Sequence, residues 1–192
     1  MPKNKKNVQA GLAGKIIIAM PAMKDSRFQK TIIYMLEHNE KGAMGLVLNK
    51  QLGEVTLSDL FKQMNVEIKG LNNNMPVYFG GPVETERGFI LHSPDRLYGQ
   101  SKTVKGGFAL TATTDILKSI AMGEGPSKMI FALGYAGWSA GQLDQEIMKN
   151  AWLHVEADEK LVFCGEQEKA WSMALKKLGV SPELLSEGFG TA

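Results

Sequence analysis

The chain has 192 residues, 44% hydrophobic and 22% charged, with a formal net charge of +2, values that suit one globular domain with a sizeable core. Its longest apolar run, residues 16–23, contains Pro21 and falls well short of the ~20 residues that cross a bilayer, so neither a spanning helix nor a secretory signal is expected and the chain reads as cytoplasmic. Cys164 is the single cysteine, which excludes an internal disulfide and a cysteine-based zinc site; no metal and no cofactor is expected, and the thiol reads as a small core hydrophobe.

Charge also bears on nucleic acid. Four of the 22 basic residues (Lys3, Lys5, Lys6, Lys15) and none of the 20 acids lie in the first fifteen, leaving 18 basic against 20 acidic groups in residues 16–192. A DNA-binding face clusters Lys and Arg in a strongly basic domain, whereas the three arginines here, Arg27, Arg87 and Arg96, are scattered. Residues 1–12 read as a flexible basic tail and residues 13–192 as a single domain.

In chain order, "GKIIIAM" is a short β-branched apolar run, the pattern of a strand buried on both faces, and Pro21 ends it. Thr31 to Glu37 and Ala43 to Leu48 predict two strands joined by the polar turn "HNEKG". From Thr56 to Met64 the positions of Leu57, Leu60, Phe61 and Met64 predict a helix with Thr56 as its N-cap. After a loop, "KGLNNNMP", the stretches "PVYFGGPV" and "RGFILHS" predict a strand pair around a Gly-Gly-Pro turn, and "GFALTAT" a further strand. Thr114 to Met122 predicts a short helix closed by Gly123. Lys128 to Leu133 predicts a second buried strand, after which "GYAGWSAG" reads as a glycine turn into a helix that begins at Gln142 or earlier and runs to Asn150. "WLHVEA" and "LVFCG" predict the last strands, and Gln167 to Leu178 an amphipathic helix with Ala170, Trp171, Ala174, Leu175 and Leu178 on one face, stopped by Gly179. Ser181-Pro182-Glu183 predicts a final helical turn. Strands and helices in this order define an α+β domain.

Within that order "GWSAG", residues 137–141, matches the G-x-S-x-G of a hydrolase nucleophile elbow. The rest of the machinery is wanting. A triad in that order needs an acid and then a histidine downstream, but only His154 follows, and Asp144 and Glu146 belong to the helix that Ser139 opens. Ser139-Ala140-Gly141-Gln142 instead fits a capping box, S-x-x-Q, and Ser139 is read as a cap. The phosphate-binding glycine motifs, G-x-x-x-x-G-K-[ST] and G-x-G-x-x-G, are absent.

Three stretches together, "MPAMKDSRFQKTIIYMLEHNEKGAMGLVLN", "VYFGGPVETERGFILHS" and "GYAGWSAGQLDQEIMKNAWL", resemble the bacterial YqgE/AlgH family, from about Gly14 to the C-terminal "GFGTA". The resemblance implies an α+β fold in which a mixed, strongly bent, partly barrel-like sheet is flanked by helices. The family's label of transcriptional regulator carries no biochemical mechanism. Where the family most often has "GWGAGQLE" this chain has Ser139 and Asp144, so a nucleophilic role for Ser139 is not a family feature.

The matched stretches supply His38, Asn49, Arg87, His92, Trp138, Gln142 and Glu146 as candidate ligand-binding residues, since function sits on loops held by a rigid scaffold. Each also has a structural reading: Trp138 as core, Arg87 as a partner of Glu84 or Glu86, Glu146 as helix surface, the histidines as strand-end residues. The expectation is a binding or regulatory module whose ligand is an anionic small molecule or a protein partner, held near the Gly134-to-Gln142 helix start where backbone N–H groups favour negative charge. At least three of His38, Arg87, His92, Trp138 and Gln142 are expected to line one concave surface. The alternative is an enzyme, such as a hydrolase with His38 or His92 as general base.

Overall fold

A computed structural model describes residues 11–70, 75–164, 166–181 and 185. The elements run β1 (Lys15–Ala19), β2 (Ile32–Asn39), β3 (Gly42–Val47), β4 (Gln51–Thr56), α1 (Leu57–Gln63), β5 (Pro76–Phe79), β6 (Val83–His92), β7 (Lys102–Val104), β8 (Phe108–Thr111), α2 (Thr114–Ala121), β9 (Met129–Ser139), α3 (Gln142–Met148), β10 (Trp152–Glu156), α4 (Glu159–Val162) and α5 (Gln167–Lys177). Among the described residues ten strands form one curled sheet, a half-barrel in the order β10-β1-β2-β3-β9-β6-β8-β7, with β5 beside β9 and β4 beside β5. All of its pairings are antiparallel except β5 with β9. The α+β class, and the bent sheet that the family resemblance implies, are what the structure contains.

The all-apolar strands are explained by layers on both faces of the sheet. Ile16, Ile18, Ile32, Tyr34, Leu46 and Leu48 point into one core with α4 and α5. Their alternates Ile17, Ala19, Ile33, Met35 and Val47 point the other way, into a core with Leu143 of α3, Trp138 and Trp152. A third core, under α1 and α2, takes Leu57, Phe61, Ile116, Ile120, Ile90 and Phe131. Trp171 anchors α5 by donating its indole N–H to the carbonyl of Ala19 at 2.7 Å.

β9 is the axis of the fold, and in it the chain departs most from the sequence reading. "GYAGWS" is not a turn but the second half of an eleven-residue strand. Before Gly134, Ile130 and Ala132 face the first core and Phe131 the third; after it, Ala136 and Trp138 face the second. The even positions have changed face, so the alternation along the strand is broken between Leu133 and Ala136. The break falls at Gly134, whose φ is +72°, where β6 changes register between Val83 and Gly88.

The two stretches expected to form a hairpin do not pair with each other. β5 lies on one side of β9 and β6 on the other, so Gly80-Gly81-Pro82 carries the chain across the backbone of β9. A Cβ on Gly81 would sit 2.0 Å from the carbonyl carbon of Tyr135, one on Gly80 2.2 Å from the carbonyl oxygen of Gly134, and one on Gly134 2.4 Å from the carbonyl oxygen of Gly81. Only hydrogen side chains let two backbones cross this closely.

Other expectations hold or shift locally. Thr56 caps α1 in a capping box with Asp59, and α2 ends at Met122 and Gly123 as read. "LVFCG" is not a strand: Asp158 accepts from the N–H of Leu161 and caps the short α4 instead. Ala170, Trp171, Ala174 and Leu175 are buried on one face of α5, but Leu178 is its exposed C-cap. The polar strands β4 and β7 lie at the sheet's margin without an apolar pattern to announce them. Of the basic tail, residues 1–10 lie outside the described residues, whereas Leu12 is packed in the second core. The turn expected at Ser181-Pro182-Glu183 falls mostly outside the described residues.

Candidate functional site at the start of the third helix

α3 follows β9 after two residues and lies on the second core through Leu143. Its N-cap is Gly141 in the left-handed region, φ +72°, not Ser139. Half of the expected capping box survives in another form: Gln142 reaches back so that Oε1 accepts from the N–H of Ser139 at 3.1 Å and from its hydroxyl at 3.2 Å. The Ser139 hydroxyl therefore points at an amide, and among the described residues no histidine is hydrogen-bonded to it as a triad requires.

Glu146 is the centre of the junction. Its Oε2 accepts from the indole N–H of Trp138 at 2.9 Å and of Trp152 at 2.8 Å, and its Oε1 accepts from the Gln142 amide at 2.9 Å. The two indoles meet edge to face, ring centres 6.1 Å apart, and both are buried. A carboxylate thus satisfies two buried donors that would otherwise be costly. The spacing explains the geometry: Gln142 and Glu146 are one turn apart on the same helix face, and β9 and β10 bring one tryptophan each.

His38, near the end of β2, is across β3 from this group, in register with Ala43, which is in register with Trp138. Its side chain is only 7% exposed. Nδ1 accepts from the N–H of Leu12 at 3.2 Å, and Nε2 faces Oδ1 of Asp144 in α3 at 3.5 Å. The acceptor role of Nδ1 assigns the proton of the neutral ring to Nε2.

Thus His38, Trp138, Gln142 and Glu146 come together, and three candidates do not. Asn49 clamps the start of β2, accepting from the N–H of Ile32 at 2.8 Å and donating to the carbonyl of Lys30 at 2.9 Å. Arg87 pairs with Glu84 at 2.9 Å, stacks 5.0 Å over the Phe89 ring and borders a shallow open depression with Glu84, Thr85 and Glu86. His92 pairs with Met129, nine residues along β9 from Trp138, a separation of up to ~30 Å. The five residues expected on one concave surface therefore divide: three at the junction, Trp138 among them buried, and two elsewhere.

His92 is fully buried. Nδ1–H donates to the carbonyl of Ser93 at 2.9 Å, so Nε2 accepts from the Thr111 hydroxyl at 2.8 Å. Thr111 in turn accepts from Ser101 at 2.7 Å, whose oxygen accepts from the N–H of Tyr98 at 2.8 Å. Burial holds the imidazole pKa below its ordinary 6.5, against the raising effects of the Ser93 carbonyl and Asp95. The unfolded chain therefore takes up a proton that the folded chain resists, and stability rises with pH in this window. We expect stability to be retained above pH 6.5 and lost as pH falls from there through the folded value, with His92→Gln flattening that part of the profile. Denaturation midpoints at a series of pH values, wild type against variant, measure it; equal slopes would refute the assignment.

Sequence reasoning passed over Asp144, Trp152 and Leu12 as site members. Trp152 could have been found: it lies six residues after Glu146, just beyond the helix end. Leu12 could not, because its role is a backbone N–H. Among the described residues no helix is long and apolar enough to cross a membrane, and no group of three His, Cys, Asp or Glu is placed to hold a metal.

A curled, largely antiparallel half-barrel with helices on both faces defines an α+β domain of the kind seen in two solved structures. One is the solution structure of the AlgH protein from Pseudomonas aeruginosa, 39% identical, TM-score 0.75, with all of both chains covered. The other, a crystal structure of a protein from Corynebacterium diphtheriae, is 19% identical with a TM-score of 0.74 over 97% of this chain and 94% of that one, and shares the fold. The chain belongs to the AlgH-like family, whose model matches residues 16–183. It is 44% identical to a UPF0301 protein of Rhodospirillum rubrum over the whole of both chains, and 46% identical to one of Ralstonia nicotianae over 94% of this chain and 95% of that one.

Proposed function

We propose that this protein is a non-enzymatic binding module, acting in the cytoplasm in a regulatory role, whose partner is a protein engaged at the α3 junction. The observation that carries the reading is the state of the polar groups there: Glu146, Gln142 and the His38 ring are all occupied by internal partners. A general base needs a ring nitrogen within reach of a substrate proton, and both nitrogens of His38 and of His92 are engaged. Asp144 lies in the first turn of α3 with Glu146 close behind, so the negative charge a helix start favours is already present and an anionic ligand gains little. Beside these locked groups Met148, at the other end of α3, is 74% exposed, the kind of adaptable apolar side chain found at protein interfaces. Scattered arginines and the acidic balance of residues 16–192 argue against direct DNA binding.

The test is a photo-crosslinking amino acid at position 148, with position 97 as control because Leu97 is also exposed. A single adduct formed at 148 and not at 97, whose purified partner binds wild type and not Met148→Asp, supports the reading. Substrate turnover that is lost in His38→Gln while the fold persists would overturn it.

A further inference from the structure

We propose that His38 is an acid-sensitive latch for the segment that leads into β1, released when the ring takes a proton at Nδ1. The segment is held to the end of β2 at two points. Leu12 donates its N–H to Nδ1 of His38 at 3.2 Å, and Gly14 donates its N–H to the carbonyl of Met35 at 2.8 Å. Between them the Leu12 side chain, 3% exposed, packs in the core that also holds Trp138 and Leu143. Gly11 lies so close to β2 that a Cβ there would be 3.0 Å from the His38 carbonyl oxygen.

The two points respond differently to acid. A carbonyl accepts at any pH, but an imidazole nitrogen accepts only while unprotonated. With a proton on Nδ1, the ring presents an N–H to the N–H of Leu12, and attraction becomes repulsion. The opposite ring edge favours the same change, because Nε2 faces the Asp144 carboxylate at 3.5 Å, the only charged side chain within ion-pair distance of the ring among the described residues. β3 presents only Ala43 in register with His38, and the neighbouring Glu37 and Asn39 on β2 alternate to the other face. Acid therefore trades the Leu12 bond for an imidazolium–Asp144 pair, leaving the Gly14 bond and β1 in place. Residues 11 and 12 come away and uncover the apolar edge next to Leu143 of α3. The latch is independent of the protein-partner reading; if both hold, acid exposes part of the same face.

Amide hydrogen exchange resolved by residue tests this, with each rate corrected for intrinsic pH dependence and Gly14 as internal reference. Between about pH 7.5 and about pH 5.5 the protection of Leu12 relative to Gly14 is expected to fall at least about tenfold. His38→Gln, whose amide oxygen accepts at every pH, is expected to hold the ratio constant. The ring titration of His38, followed by NMR in the wild type, must share the midpoint of the Leu12 change, which keeps the test decisive if His38→Gln does not fold. A constant ratio in wild type, a fall that persists in His38→Gln, or a midpoint unrelated to the His38 titration overturns the latch.

Discussion

Gly81→Ala and Gly134→Ala are each expected to destabilise the fold by roughly 3–5 kcal/mol, at the upper end of what single substitutions do. Two costs add at these positions. The left-handed φ of +72° at Gly134 disfavours any Cβ by roughly 1–2 kcal/mol. The contacts at 2.0 Å and 2.4 Å are with backbone, so relief requires moving one whole strand relative to another in a close-packed interior. Gly53 and Gly141 provide the control, since they have φ of +60° and +72° but nothing within 4 Å of an added Cβ. Alanine there is expected to cost only the conformational part, roughly 1–2 kcal/mol. Urea denaturation midpoints at constant m-value separate the two classes. Equal losses at all four positions would show that the crossing is not a close contact in solution.

The same crossing marks the limit of what the sequence discloses. Elements whose apolar pattern is unbroken were readable: the strands β1 and β2, the Thr56-capped α1, and α5 with its stripe of alanine, tryptophan and leucine. Glycine was readable as punctuation but not in kind. "GGP" implied a hairpin turn, whereas the structure uses it to step over β9; "GYAGWSAG" implied a turn, whereas Gly134 breaks the alternation inside a strand and Gly141 opens the helix. Both errors share a cause, because close approach between distant backbones leaves no local pattern. "LVFCG" misled for another reason. Its β-branched and aromatic residues suit a strand, and the Asp158 cap with burial of Leu161 and Val162 overrides that preference. At the candidate site Trp138, Gln142 and Glu146 were legible as neighbours on a strand end and a helix start, but His38 joins them only through sheet register and the Asp144 contact. Arg87 and His92 were grouped with them because strand-to-loop transitions share an appearance in sequence whichever end of the sheet they occupy.

Glu146→Ala is the second substitution expected to have a large effect, on the order of 3 kcal/mol, since it strands two buried indole donors at roughly 1–3 kcal/mol each and such costs within one group do not add fully. The loss belongs to hydrogen bonding and not to charge as such. Glu146→Gln keeps an oxygen able to accept from Trp138 and Trp152 and forfeits only the exposed bond from the Gln142 amide, whose oxygen stays turned to Ser139. It is therefore expected to retain most of the stability, within about 1 kcal/mol of wild type. Gln142→Ala removes one exposed partner and is expected to cost less than Glu146→Ala, because its own amide then leaves nothing buried and unpaired. Denaturation midpoints rank the three, and tryptophan fluorescence reports the cause, because loss of the acceptor alters the surroundings of Trp138 and Trp152 while Trp171, bonded to the Ala19 carbonyl, is unaffected. If Glu146→Gln proves as damaging as Glu146→Ala, the junction is held by the carboxylate charge and not by shared acceptance from two indoles.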